Sequence, residues 1–296
     1  MQEEVIKVFV GCDPNDCDLE QMMVLDYSIA KHTKAPYEIV WMQLSKDPNS
    51  FWYSDLKRKK GWNTSLWVTP FSGFRWGIPA YCNYEGKAIY MDADILVLSD
   101  IQDLWNHPFN EGSIMVAKGG EQIHRTCVAL WDCAAAKKVL PSIKRIKSKA
   151  KSHNRLIGML RENPNLVTPF NDNYNCLDGE DLPVEEIKIL HFTDIDTQFS
   201  HKYSIPRLER EGRKHWYEGE VNPHWRKDLA DLFDQYYQEA LDAGYSLDNY
   251  RHVGFGAIEK QDMSDYVGSR HYPLPALEKP QNKFKRLLNK VKGIFK

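Results

Sequence analysis

Short apolar bursts separated by polar turns run through the first two thirds of the chain. VIKVFV at 5–10 has the length and content of a strand, and GCDPND follows as a loop. LEQMMVLDYSIAKHT at 19–33 repeats its apolar residues at helical spacing, and YEIVWMQL at 37–44 returns to a strand pattern. This β–loop–α–β order opens an α/β layered fold. Residues 51–74 are rich in Trp, Phe, Ser and Gly without a clean period, which predicts a surface excursion. FRWGIPAYCNY (74–84) predicts a short helix ending in a turn, and KAIYMD a further strand. SIMVAKG (113–119), TCVALWD (126–132) and IKILHF (187–192) are strand-like; residues 133–151 are helical but broken at Pro141. From about 207 the pattern is helical and polar, most clearly at 226–244.

The run IYMDADILVL (89–98) interrupts this pattern with two carboxylates, Asp92 and Asp94. Residues i and i+2 of a strand share a face, so the pair is expected to point one way. Two carboxylates on one face repel unless a cation lies beside them, and an oxygen-seeking divalent metal is the natural compensation. In open α/β sheets ligands bind beyond the carboxyl ends of strands, which is where this pair falls.

The flanks FRWGIPAYCNYEGKAIYMDADILVLSDIQDLW extend the pattern. Arg75, Pro79, Tyr90, Asp92, Asp94, Asp100, Ile101 and Leu104 match the central segment of the family 8 glycosyltransferases, and the chain resembles that family. The resemblance implies a GT-A fold, a Rossmann-like mixed sheet flanked by helices, with a helical C-terminal extension. It implies retaining transfer from a nucleotide diphosphate sugar, a UDP-sugar, with Mn²⁺ or Mg²⁺ held by Asp92, Asp94 and His191. On the match to VFVGCDPND, Asp13 accepts from the uracil and Asn15 lies near the ribose and phosphates; Arg75, Ala93 and Lys202 complete the donor contacts. Arg75 joins Asp92 and Asp94 as the expected catalytic set.

Three departures from the family are visible. After His191 the chain reads HFTDIDTQFSHKYSIPR, with no Gly and no Lys-Pro-Trp, leaving Lys202 or Arg207 as the basic substitute. HRTCVALWD puts Arg125 or Thr126 in place of the family's Asn. The Asp-Gln pair near the sugar has its best counterpart in Ser152, His153 and Asn154. DGED (178–181) reads as a solvated turn, and Asn173 and Asn175 as turn residues able to line the site. Trp52, Trp62 and Trp67 are candidates for stacking on an acceptor sugar or for burial.

Composition narrows the partners. A net charge of −2 over 296 residues gives no reason to expect nucleic acid. The six cysteines show no CxxC spacing and read as reduced, and no run of about twenty apolar residues predicts a membrane span. The acidic start is unlike a signal peptide, so a cytoplasmic location is expected. The last segment, KPQNKFKRLLNKVKGIFK, places Phe284, Leu287, Leu288, Val291 and Phe295 at helical spacing among basic residues. A basic amphipathic helix at 283–296 would seat on an anionic membrane surface and suit a glycan or glycolipid acceptor. The expected organisation is a GT-A domain at 1–206, a helical part at 207–272 and a Pro-containing linker with the basic tail at 273–296. The alternatives are a nucleotide-binding GT-A-like domain without turnover, or a phosphatase with the same Asp-x-Asp pattern.

Overall fold

The computed structural model describes residues 4–67, 69–256 and 258. The amphipathic tail and its linker lie outside the described residues. Strands β1 (Ile6–Gly11), β2 (Tyr37–Met42) and β5 (Lys87–Asp92) pair in parallel, with β1 central. β5 pairs antiparallel with β8 (Val128–Asp132); β7 (Met115–Ala117) and β9 (Val167–Pro169) complete a six-stranded mixed sheet. A second sheet has the order β10 (Cys176–Leu177), β11 (Ile189–His191), β6 (Ile95–Val97). β3 (Ser54–Asp55) and β4 (Lys60–Gly61) form a small hairpin.

Strand alternation decides which side chain meets which layer. Ile6, Val8 and Val10 of β1 and Ile89 and Met91 of β5 face helix α1 (Leu19–His32) in one apolar cluster. Phe9, Ala88 and Tyr90 face the other way, into a second cluster. The 51–78 segment contributes Trp52, Trp62, Trp67, Phe74 and Trp76 to that second cluster. The bulky rings of the segment expected as a surface excursion are therefore core, while residues 57–60 stay exposed. Trp62 is fully buried, with Trp52 stacked at 5.7 Å and Phe74 edge-on at 5.0 Å. Period failed here because packing on the sheet is made by a loop of bulky rings, which carries no helix or strand repeat. The three tryptophans are committed to the core and do not form a sugar-stacking surface.

The remaining helices are α2 (Ile78–Tyr81), α3 (Gln102–Trp105), α4 (Cys133–Val139), α5 (Ile143–Ser148), α6 (Ser152–Glu162), α7 (His201–Arg210) and α8 (Lys227–Asp242). Pro141 separates α4 from α5, as its missing N–H requires. α7 and α8 both pack on α1. α7 carries the chain through residue 206, and α8 seats Leu229, Phe233 and Tyr236 in a third apolar cluster with Leu190 and Phe192. Among the described residues no helix is long and apolar enough to cross a membrane.

Candidate active site

The site forms where β1 and β5 end side by side: Gly11 of β1 is in register with Asp92 of β5. Asp92 is the last residue of its strand, and the chain turns at Ala93 and Asp94 before entering β6 of the second sheet. The two carboxylates are therefore not side by side on one strand face, as the alternation argument expected. Asp92 is fixed by Arg75, whose Nη2 donates to Oδ1 at 2.8 Å, and by the Tyr90 hydroxyl. Asp94 accepts from Gln198 Nε2 at 3.2 Å. The turn is what sends one carboxylate along each sheet. Ala93 itself is buried in the core.

His191 reunites them. It ends β11, which pairs antiparallel with β6 so that His191 lies opposite Ile95. Its Nε2 is 3.3 Å from Asp94 Oδ1 and 3.8 Å from Asp92 Oδ2. Burial works against a charged imidazole, yet the Cys127 sulfur and the Asp94 carboxylate facing it hold its pKa well above the ordinary value. Positive charge is thus drawn to this point. A carboxylate oxygen on either side of one imidazole nitrogen is the kind of donor set that suits a divalent cation.

Arg75 is the fixed positive charge of the site. It is 7% exposed, and Asp92 overrides burial to hold it charged. Its Nη1 donates to the Thr126 carbonyl at 2.7 Å and to Oγ1 at 3.0 Å, and its Nε to the Ser72 carbonyl at 2.9 Å. Thr126 thus positions Arg75, while the neighbouring Arg125 carbonyl accepts from Asn175 Nδ2 at 3.0 Å. Asn175 is fully buried and ties two loops together.

The loop at 12–18 closes the other side. Asp13 is 2% exposed, and its Oδ1 accepts from the backbone N–H of Asn15 at 2.7 Å and of Cys17 at 3.3 Å. Asn15 exchanges two bonds with Gly256: its Nδ2 donates to the carbonyl at 3.0 Å, and the Gly256 N–H donates to Oδ1 at 2.7 Å. Arg213 grips the same loop through the Asn15 carbonyl and Asp16 Oδ2, and Arg207 donates to the Asp16 carbonyl at 2.7 Å. Arg207 is buried in this role, paired with Glu20 of α1. Lys202 is ion-paired with Asp234 of α8.

Asp13 and Asp18 are both buried, with Asp18 Oδ2 accepting from the Asp13 N–H at 2.7 Å. Burial raises both carboxyl pKa values, and for Asp18 the Asp13 charge adds to it. A carboxyl whose folded-state pKa is raised contributes most below the unfolded value of about 3.9 and loses that contribution as pH rises through the folded value. Asp18→Asn keeps an acceptor and removes the charge. We expect it to melt above the wild type at pH 8, with the gain shrinking toward pH 4 in a thermal-unfolding series. A gain independent of pH would discard the repulsion.

His153, on α6, is the member of the 152–154 trio that reaches this region. Its Nδ1 accepts from Trp76 Nε1 at 3.0 Å, and burial followed by the Arg75 charge pushes its pKa down to about 3. Ser152 turns inward to the Ile146 carbonyl at 2.8 Å. The DGED segment is not a solvated turn: Asp178 is 2% exposed, bonded to Thr193 and facing His224 at 3.3 Å, and Glu180 pairs with the buried Lys118. Such pairings join residues far apart in sequence, so local turn composition did not reveal them. Cys127 was missed for the same reason. It precedes β8, its carbonyl accepts the Asp92 N–H at 3.0 Å, and pairing with β5 alone brings it to the site. All six cysteines are free.

The family model for glycosyl transferase family 8 matches residues 20–167, half of the chain. Protein CDI of Arabidopsis thaliana is 36% identical over 107 residues, which are 35% of this chain and 37% of that protein. Among solved structures, the bifunctional glycosyltransferase WbbM superposes with a TM-score of 0.52 at 14% identity, covering 82% of this chain and 52% of that one. An active-site mutant of LgtC also gives a TM-score of 0.52, at 11% identity, covering 79% of this chain and 96% of that one. The two structures share the fold, the GT-A arrangement of a central mixed sheet between helices. The matched span takes in Arg75, Asp92, Asp94 and Cys127 and stops short of His191, and by that match the chain belongs to glycosyltransferase family 8.

Proposed function

We propose that the chain transfers a glycosyl group from a UDP-sugar to a hydroxyl of a glycan or lipid-linked acceptor, with retained anomeric configuration. The observation that carries this reading is the placing of Asp92 and Asp94 against His191 Nε2, beside Arg75 at the carboxyl ends of β1 and β5. A divalent cation, Mn²⁺ or Mg²⁺, held by Asp92, Asp94 and His191 would supply the positive charge that a departing diphosphate needs. Arg75, kept charged by Asp92, adds fixed charge at the same end. The 12–18 loop, clamped by Arg207 and Arg213, is suited to hold the nucleoside, with Asp13 and Asn15 as its expected contacts. Lys202 would have to leave Asp234 to reach a phosphate. The acceptor oxygen attacks the anomeric carbon, the bond from that carbon to the diphosphate oxygen breaks, and the leaving oxygen takes the acceptor's proton. A product of inverted configuration would overturn the retaining step.

His153 is the residue we assign to the sugar. Trp76 Nε1 only donates, so Nδ1 must be the acceptor, and a neutral ring then carries its proton on Nε2. That N–H has no partner among the described residues and can donate to a sugar hydroxyl. His153→Ala is expected to lower kcat/KM about 10- to 100-fold, a lost contact of roughly 1.4–2.7 kcal/mol, while UDP affinity stays within about twofold. Equal loss of UDP affinity would move His153 to the nucleotide.

The function is tested by thermal unfolding with UDP and Mn²⁺ together and separately, followed by hydrolysis of UDP-sugars. UDP at a hundred times its Kd stabilises by about 2.7 kcal/mol, a rise of several degrees. A rise that needs both components, with UDP-sugar turnover, is the expected result. Binding without turnover would favour the non-catalytic alternative. No rise with any nucleotide would overturn the donor site.

A further inference from the structure

Cys127 stands inside the cation site. Asp92, Cys127 and His191 each offer one ligand atom, and all three atoms lie within 4.8 Å of one another. Asp94 joins this cluster through His191, 3.3 Å away. Cys127 is held there by the sheet, since its carbonyl accepts the Asp92 N–H and the next residue, Val128, is in register with Met91. It is 9% exposed, and the Arg75 guanidinium faces it as well as Asp92. His191 is 4% exposed, and its Nδ1 has no hydrogen-bond partner among the described residues, so Nε2, aimed at the cluster, is its one engaged nitrogen.

The donor set has a chemical consequence. Oxygen-only sites suit Mg²⁺ and Mn²⁺, whereas sulfur selects softer ions. Carboxylate, imidazole and thiolate with an open position are the ligands of four-coordinate Zn²⁺. Bond lengths of about 2.0–2.3 Å put tetrahedral donors roughly 3.3–3.8 Å apart, so side-chain adjustments of about 1 Å close the site.

We propose that Cys127 is a sulfur ligand of the divalent cation in this site, which shifts its preference from Mn²⁺ and Mg²⁺ toward borderline ions such as Zn²⁺ and Co²⁺. This rests on the assignment of the site as the donor-binding centre and deepens it. On binding, the S–H bond breaks, the proton passes to solvent and one sulfur–metal bond forms; no electron is transferred.

The test is titration of the full chain with Co²⁺ alone, without nucleotide, followed by absorption spectroscopy. The wild type is expected to show a near-ultraviolet thiolate-to-cobalt band together with tetrahedral visible bands. Cys127→Ser is expected to lose the near-ultraviolet band, and its preference for Zn²⁺ over Mn²⁺ in competition calorimetry should fall by at least about 10-fold. His191→Ala should lose both sets of bands. Cys127→Ala and urea unfolding guard against a folding defect in the serine variant. A wild-type spectrum without the thiolate band, a band that survives in both Cys127 variants, or no Co²⁺ binding at all overturns the proposal. The donor-site reading is judged separately, because it requires only that UDP and Mn²⁺ raise the melting temperature of wild type.

Discussion

Asp92→Ala is expected to lose both activity and stability, whereas Asp94→Ala loses activity at a smaller cost in stability. Asp92 is the only carboxylate bonded to the buried Arg75 guanidinium among the described residues, at 2.8 Å. Its removal leaves a charge with neutral carbonyls from Ser72 and Thr126 as partners. Breaking a buried pair from one side costs about 3–5 kcal/mol. At roughly 2–4 °C per kcal/mol for a domain of this size, melting should fall by about 6–20 °C. Asp94 is less entangled. Its backbone carbonyl still accepts the Phe192 N–H at 3.0 Å, and Gln198 keeps the Phe192 carbonyl at 3.0 Å. Its replacement should cost less than that of Asp92, because its partner His191, unlike Arg75, can shed its proton when the carboxylate is gone. Both variants should lose the joint UDP and Mn²⁺ response and at least about 100-fold in kcat, because charge aimed at the leaving group is the main catalytic device in such a site. The pair is read by urea unfolding and by calorimetry of UDP with Mn²⁺. Unchanged UDP affinity in Asp94→Ala would sink the donor site; unchanged stability in Asp92→Ala would sink the buried-pair argument.

Arg207→Ala should be the most damaging substitution outside the carboxylate cluster. Arg207 of α7 meets Glu20 of α1 with two bonds, 2.6 and 2.9 Å, and Glu20 is 1% exposed. The same guanidinium holds the Asp16 carbonyl. Removing it strands a buried carboxylate and releases the loop at 12–18. The expected cost is about 3–5 kcal/mol, with weaker UDP binding in whatever remains folded. Glu20→Gln combined with Arg207→Met should recover most of the stability, since no charge is then left unpaired, but not the grip on Asp16. If the double variant is as unstable as Arg207→Ala, the loss comes from packing instead of charge. Urea midpoints of the wild type, the single and the double variant decide it.

The family and the two aspartates of the candidate site were legible because their signals are local. Asp92 and Asp94 stand two residues apart between apolar runs, and Arg75 and Tyr90 flank them within twenty residues. The strands at 6–11, 37–42, 87–92 and 128–132 follow from apolar periodicity alone. The aromatic stretch at 51–74 misled for a physical reason: a loop that packs by ring contacts has no repeat to read. Asp178 and Glu180 misled because turn-forming residues can also be buried when His224 and Lys118 arrive from elsewhere.

The sequence by itself determined the layered α/β plan, the family and the pair of aspartates, all of which rest on neighbours in the chain. Only the tertiary structure decided that the two carboxylates diverge at a turn between two sheets and meet again at His191. It alone placed Cys127 opposite Asp92 and His153 against Trp76, and set Arg207 on Glu20, 187 residues away. Each of these contacts is made by strand register or helix packing between distant segments. Backbone pairing across β5 and β8 and across β6 and β11, and the docking of α7 on α1, set most of them, and no local pattern of side chains encodes that.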